Sequence, residues 1–315
     1  MQDPNILNPL NNPIFFPVLY RFAFLFAAGF VLIFVLNRFK LKGIWRTNVG
    51  ERYYSWLIIG ALYLGFVFLG GIPAIIFLFA IMALAIWEVG KMTRLPKIYA
   101  YALYLLAATS IIITSYFPDN FYILPILFFT ILTTLTIGRN DERGFSCLSI
   151  SFYAAIWIIF FLSHFILLGH LNNDLDNTKS LLLLIGFAVP LADIGAYVIG
   201  KPLSKTFLNK YKIASKISPK KIWAGAIGDI LGAGIGISIM YFAIKPYFSV
   251  TQLILLAIII GGFSVIGDMN ESLVKRYFKV KDSSSLIPGH GGILDRIDSV
   301  MRVIVAVYYF SLFVL

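Results

Sequence analysis

The sequence predicts an all-α fold: a polytopic bundle of transmembrane helices with about nine or ten spans. Three observations lead there. Of 315 residues, 59% are hydrophobic and 13% charged, with a mean hydropathy of +0.87. Soluble domains carry roughly 25% charged residues, and a water-soluble core could not hide this much apolar surface. The apolar residues also fall into runs matching the ~20 residues that a spanning helix needs. Finally, the connections between runs alternate between strongly basic and nearly uncharged. Other classes are excluded by the same composition. A lone cysteine, Cys147, permits neither an intrachain disulfide nor a metal–thiolate cluster and reads as a small buried residue. The net charge of +11 reads as basic cytoplasmic loops, not as a nucleic-acid surface.

Each element follows in order. Met1–Pro13 is rich in Asn and Pro, lacks the basic n-region of a signal peptide, and is expected to be a short polar tail. Ile14–Leu36 is the first span, followed by Arg38, Lys40, Lys42, Arg46 and Arg52. Ser55–Trp87 is too long for one helix and is broken at Gly70-Gly71-Ile72-Pro73. Proline cannot continue a helix without losing a backbone hydrogen bond, so a tight helical hairpin is expected there. Lys91, Arg94 and Lys97 come next, then Ile98–Tyr116 and Phe121–Ile137 about an uncompensated Asp119, then Arg139 and Arg143. Cys147–Leu168 and Leu181–Gly200 flank a loop with Asp174, Asp176 and Lys179. A basic loop from Lys201 to Lys221 leads to Trp223–Ile244 and Thr251–Gly267, joined through Lys245. Val300–Leu315 closes the chain. Ten spans put both termini outside and the Lys201–Lys221 and Gly267–Asp298 stretches in the cytoplasm. If the Gly70–Pro73 break is not a hairpin, only the N-terminus changes side. No internal repeat is evident. The chain reads as one integral membrane domain, with N-terminal helices over residues 1–137 and a catalytic region over 138–315.

The chemistry concentrates in Gly267–Asp298, which holds Asp268, Glu271, Asp282, Asp295 and Asp298 with Lys275, Arg276, Lys279, Lys281 and Arg296. A carboxylate at membrane depth is expensive and marks function. Asp268 and Asp295, returned to one place by a turn, would make a hard oxygen site suited to Mg²⁺, and Mg²⁺ usually shares phosphate oxygens. Between them lies Pro288-Gly289-His290-Gly291-Gly292. Its glycines allow close approach of backbone to phosphate, and its amides could form an anion-binding nest. His290 is then either a phosphate contact or a structural hydrogen-bonding residue. His164 and His170 receive no role.

A second constellation is Asp193-Ile194-Gly195-Ala196-Tyr197, Gly200-Lys201 and Ser218-Pro219-Lys220-Lys221. Asp193 interrupts an apolar run. Lys220 and Lys221 stand just before a helix start, where dipole and ammonium together favour phosphate. Lys205, Lys210 and Lys212 read as an anionic-lipid patch. Gly225, Gly228, Gly232 and Gly236 follow no strand, so they read as a close helix-packing seam, not a nucleotide fingerprint. Asp229 on that helix is either a site carboxylate or a buried polar partner.

The run Ser272-Leu-Val-Lys275-Arg276, Lys281-Asp282-Ser283, Leu286-Ile287-Pro288-Gly289-His290-Gly291-Gly292 and Asp295-Arg296-Ile297-Asp298 resembles the signature of the phosphatidate cytidylyltransferases (CDP-diacylglycerol synthases). The second constellation resembles the same family's other block. The resemblance covers roughly Asp193 to Asp298. It implies cytidylyl transfer from CTP to phosphatidate, giving CDP-diacylglycerol and pyrophosphate. It also implies Mg²⁺ on Asp268 and Asp295, K⁺ nearby, and a homodimer. Asp268, Asp295, Lys221 and His290 would then be catalytic. Asp193, Tyr197, Lys201, Ser218, Lys220, Lys275, Arg276, Lys281, Asp282, Gly289, Gly291, Gly292, Arg296 and Asp298 would contact substrate. Ile194, Ser204 and Ile222-Trp223-Ala224 depart from the family pattern. Two rival functions are a CTP-dependent lipid kinase releasing CDP and a lipid or ion transporter whose carboxylates bind cargo.

Overall fold

The computed structural model describes residues 9–36, 48–139, 142–171, 175–287, 289 and 291–315. Ten of its helical segments are long and apolar enough to cross a membrane. They are α1 (Phe15–Leu36), α2 (Asn48–Leu69), α3 (Gly71–Thr93), α4 (Lys97–Tyr116) and α5 (Leu124–Arg139), the last extended at its start by a 3₁₀ turn over Pro118–Ile123. Next comes α6 (Gly144–Ala154), joined to α7 (Phe161–Leu168) by a π-helical segment over Ala155–Phe160 to make a single span. The remaining spans are α8 (Leu175–Leu203), α9 (Trp223–Ile244), α10 (Val250–Tyr277) and α11 (Leu294–Val314).

The expected hairpin is present. Gly70 and Gly71 turn the chain with φ of +57° and +49°, the left-handed region that favours glycine. Pro73 sits in the first turn of α3, where its missing N–H would have had no intrahelical acceptor.

The surface is that of a membrane protein. Phe24, Leu105, Ile126 and Ile235, on four different helices, are more than half exposed. The interior packs around buried Leu103, Leu106, Phe128, Ile158 and Leu162. The Gly225–Gly236 seam also meets its expectation. Gly228 of α9 lies so close to α8 that a methyl there would stand 2.5 Å from the Gly195 carbonyl oxygen, and one on Gly236 would stand 2.5 Å from Ala188 Cα.

Two boundaries differ from the hydropathy reading. α10 continues past Gly267 to Tyr277, and α11 begins at Leu294, before Val300. Hydropathy stops where the membrane stops, whereas helical hydrogen bonding continues into the polar layer. The charged stretch is therefore two helix ends joined by the connector 278–293. The basic loop after α8 also departs from purely helical structure. It carries an antiparallel hairpin, β1 (Lys212–Ala214) with β2 (Ser218–Ile222), which delivers Lys220 and Lys221 to the start of α9.

Candidate active site

Helix phase builds the site. Asp268, Glu271 and Lys275 are spaced three and four apart and so share one face of α10, while Asp295 and Asp298 share a face in the first turns of α11. The two helices approach closely at Gly267, where a methyl would lie 2.6 Å from the Asp298 carbonyl oxygen. Asp268, Glu271 and Asp298 consequently each offer an oxygen within 4.8 Å of the others. This grouping departs from the expected Asp268–Asp295 pair. Asp295 has other partners: Oδ1 accepts from Lys275 Nζ at 2.7 Å, and Oδ2 accepts from Ser283 N (3.0 Å), Ser283 Oγ (2.9 Å) and Gly292 N (2.7 Å). Lys275 links the two sets through a second ion pair, 2.6 Å to Glu271 Oε2. The other oxygen, Glu271 Oε1, is buried and has no hydrogen-bond partner.

The second constellation joins this group. Lys221 forms an ion pair with Asp268 and interacts electrostatically with Asp229 and Asp193. Burial opposes the charge on Lys221, but these three carboxylates more than offset it, so its pKa is raised above the ordinary lysine value. Asp193 accepts a long hydrogen bond from Ser264 Oγ (3.4 Å) and interacts electrostatically with Asp268 and Arg296. Asp229 is buried and interacts electrostatically with Lys221, Asp193 and Asp268, so the two alternatives the sequence left open do not exclude each other. Six carboxyl groups (Asp193, Asp229, Asp268, Glu271, Asp295, Asp298) surround three basic side chains (Lys221, Lys275, Arg296), an acidic excess that suits cations.

The remaining expected residues form an exposed rim. On α8, Lys201 donates to the Tyr197 hydroxyl one turn earlier. Arg276 donates to the Val280 carbonyl at 3.4 Å and starts the connector. Lys220, Lys281 and Asp282 are exposed, and Ser218 is half-buried on β2 opposite Ala214. The glycine turn differs from its expectation. The Gly291 amide donates to Ile287 O (3.1 Å) and the Gly292 amide to Asp295, so neither is free to cradle a phosphate. These glycines serve close packing instead: a methyl on Gly291 would lie 2.5 Å from Asp295 Oδ2, and one on Gly292 would collide with Ser283 and Glu88. Gly289 is exposed with φ of +72°. His290 lies outside the described residues.

Sequence reading passed over the residue that holds the connector in place. Glu88, near the end of α3, is fully buried and accepts four hydrogen bonds. Oε1 receives Ser284 Oγ (2.7 Å) and Ile293 N (2.8 Å); Oε2 receives Leu294 N (2.8 Å) and shares the one Ser283 hydroxyl proton (2.8 Å) with Asp295 Oδ2. It therefore caps α11, satisfying N–H groups that a helix start leaves without partners and placing negative charge at its positive end. Arg52 of α2 adds a second tie, Nε to Gly289 O at 3.1 Å. A signal for Glu88 existed. It is the single acidic residue between Glu51 and Asp119, and it lies in an apolar run.

Residues 50–314 match the profile of the cytidylyltransferase family. The chain belongs to that family. The match takes in α2 and α3, and with them Arg52 and Glu88, well upstream of the signature blocks. Among relatives, a phosphatidate cytidylyltransferase of Haemophilus influenzae is 40% identical over 152 residues, 47% of this chain and 51% of that one. The phosphatidate cytidylyltransferase of Synechocystis is 43% identical over 140 residues, 44% and 45% of the two chains. The chain thus spans about half the length of these two relatives. The phosphatidate cytidylyltransferase of Bacillus subtilis is 29% identical over 274 residues, covering 83% of this chain and 97% of that one.

Proposed function

We propose that this protein transfers the cytidylyl group of CTP to phosphatidate, forming CDP-diacylglycerol and pyrophosphate at the cytoplasmic surface of a membrane. The observation that carries the reading is the Asp268–Glu271–Asp298 carboxylate group beside Lys221, in a cytidylyltransferase-family chain. A phosphate oxygen of the lipid attacks the α-phosphorus of CTP in line. The bond from that phosphorus to the β-phosphate bridging oxygen breaks, and pyrophosphate leaves with the electron pair. No protein nucleophile is needed, since the lipid phosphate is already an anion. Positioning and charge compensation are then the protein's main contributions.

Mg²⁺ fits the residues present. Three carboxylates converge, and Glu271 Oε1 is buried with its lone pairs unused. Asp268, Glu271 and Asp298 would hold the ion, with Asp295 brought in only by releasing one of its present donors. When bound, it supplies compensation for the triphosphate and departing pyrophosphate charge. K⁺ would find Asp193 and Asp229 beside Lys221. The ammonium of Lys221, already turned toward the carboxylates, is placed to meet the triphosphate as it displaces Asp268 from the ion pair. Lys275 keeps Asp295 and Glu271 oriented, and Lys201, Lys220, Arg276 and Lys281 give the rim a positive field for an anionic nucleotide. The resemblance also implies a homodimer.

The test is purified protein with α-labelled CTP, phosphatidate and Mg²⁺. Label in the lipid with stoichiometric pyrophosphate is the expected result. CDP release without labelled lipid moves the reading to a lipid kinase. Neither product, with several phospholipid acceptors, overturns enzymatic cytidylyl transfer.

A further inference from the structure

A second polar cluster lies at the active-site end of the membrane-spanning region, beside the carboxylates, and centres on Tyr153. Its hydroxyl donates to Asn270 Oδ1 at 2.7 Å, its ring is 5.5 Å from that of Trp157, and it interacts electrostatically with Arg302. Helices rise about 1.5 Å per residue. Tyr153 is nine residues into α6, Asn270 seven from the end of α10 and Arg302 eight into α11. All three therefore sit roughly 10–14 Å along their helices from the ends at the active-site face.

The chemistry of the cluster is one-sided. Trp157 Nε1, Asn270 Nδ2 and Arg302 Nε are all buried without a hydrogen-bond partner. Each is a donor, and none can accept. Arg302 is half-buried, with its Nε enclosed. Its guanidinium lies 5.4 Å over the Phe161 ring on α7, and among the described residues no carboxylate is within ion-pair distance. A charged side chain at this depth with no counter-charge marks a ligand-binding position. The π-helical turn at Ala155–Phe160, which sets Trp157 in place, is the kind of distortion that recurs at functional sites. Tyr153 is 40% exposed, which leaves the cluster open to the surrounding lipid.

We propose that Tyr153, Trp157, Asn270 and Arg302 form a headgroup site for the phosphate of an anionic lipid. An acceptor-only, charged ligand is what three unsatisfied donors, one of them on a guanidinium with no counter-charge, select. Arg302 follows Asp298 by one helical turn, so the phosphate would rest about 6 Å along α11 from the carboxylate group. The substrate assignment rests on the cytidylyl-transfer reading: the bound lipid is then phosphatidate, presented to CTP from within the membrane.

The experiment uses the full chain in nanodiscs, with Arg302→Gln, Arg302→Lys and Trp157→Phe. Lipid retention is read by native mass spectrometry and turnover by steady-state kinetics. Arg302→Gln is expected to raise KM for phosphatidate about tenfold or more, the loss of one charge-assisted hydrogen bond, with KM for CTP unchanged. Arg302→Lys is expected to recover most of the affinity, and Trp157→Phe to weaken it severalfold even if Arg302→Gln fails to fold. Inorganic phosphate at millimolar concentration should not compete. Competition by phosphate alone, without lipid retention, would assign the site to a free anion and overturn the headgroup proposal. An unchanged phosphatidate KM in folded Arg302→Gln would overturn it outright. Arg302-dependent phosphatidate retention in a protein that makes no labelled lipid would uphold the site and refute the cytidylyl-transfer reading instead.

Discussion

Glu88 carries the strongest single-residue argument. Each of its oxygens accepts one serine hydroxyl and one backbone N–H. A glutamine would turn an NH₂ group toward one of those N–H donors. The hydroxyl can rotate in response, but the amide of Ile293 or Leu294 cannot. One buried N–H left unmatched costs about 1–3 kcal/mol. Glu88→Gln should therefore lower kcat/KM by about tenfold and lower the unfolding temperature, and Glu88→Ala should do more on both counts. Normal kinetics for Glu88→Gln would mean that the connector holds its shape without this anchor. The carboxylates give a second prediction at this scale. If Asp268, Glu271 and Asp298 hold the cation, Asp268→Asn and Asp298→Asn should abolish turnover and raise the Mg²⁺ requirement of any residual activity. Asp295→Asn should also lower turnover severely, but with the Mg²⁺ requirement of the residual activity unchanged, because its oxygens orient Ser283, Gly292 and Lys275. A Mg²⁺ titration of the three variants separates the two roles, and a raised requirement in Asp268→Asn and Asp295→Asn with that of Asp298→Asn unchanged would favour the Asp268–Asp295 pair.

At the scale of elements, the α8–α9 seam is where backbone approach is closest. Gly228→Leu would drive a side chain into the Gly195 backbone, and overpacking of this kind typically costs about 1–3 kcal/mol, more where only backbone can move. The variant should show a lower unfolding temperature and reduced activity, since Asp193 and Asp229 hang from the two helices that would separate and Lys221 stands on the strand that leads into one of them. Gly262→Ala, with nothing within 4 Å of an added methyl, is the matched control and should behave as the parent. This seam was legible in the sequence because spacings of three and four declare a helix face by themselves. So were the spans, whose length the membrane sets, and so were Asp193 and Asp268, which stand out against apolar runs, and Lys221, which stands just before a helix start. The grouping of Asp268 with Glu271 and Asp298 was not. It depends on where α10 and α11 end, and both helices run beyond the apolar stretch that betrays them. Glu88 was hidden for a different reason. Its partners Ser283 and Leu294 are some two hundred positions away, and no local pattern reports a capping residue supplied from another helix.

At the scale of the molecule, the contacts show which connections share a face. Arg52 reaches Gly289, Glu88 holds Ser283 and Leu294, and Lys221 pairs with Asp268. The start of α2, the end of α3, the β hairpin and the α10–α11 connector therefore meet on one side of the bundle, as the alternation of basic loops requires. The opposite side carries Asp119 and the α9–α10 turn. The basic side should face the cytoplasm, where CTP is available. Two reporters decide it: Lys216→Cys at the tip of the hairpin and Asp119→Cys on the far side, both exposed, in a chain whose own Cys147 is buried. A membrane-impermeant maleimide should label Lys216→Cys only in inside-out vesicles and Asp119→Cys only in right-side-out ones. The reverse pattern would put the carboxylate group outside, beyond reach of cytoplasmic CTP, and would count against the catalytic reading more heavily than any loss of activity in a point variant. Labelling of both from the same side would break the count of three spans between them, and α5, the α6–α7 span and α8 would be the elements to re-examine, because a re-entrant pair at Gly70–Gly71 changes only the side of α1 and leaves both reporters where they are.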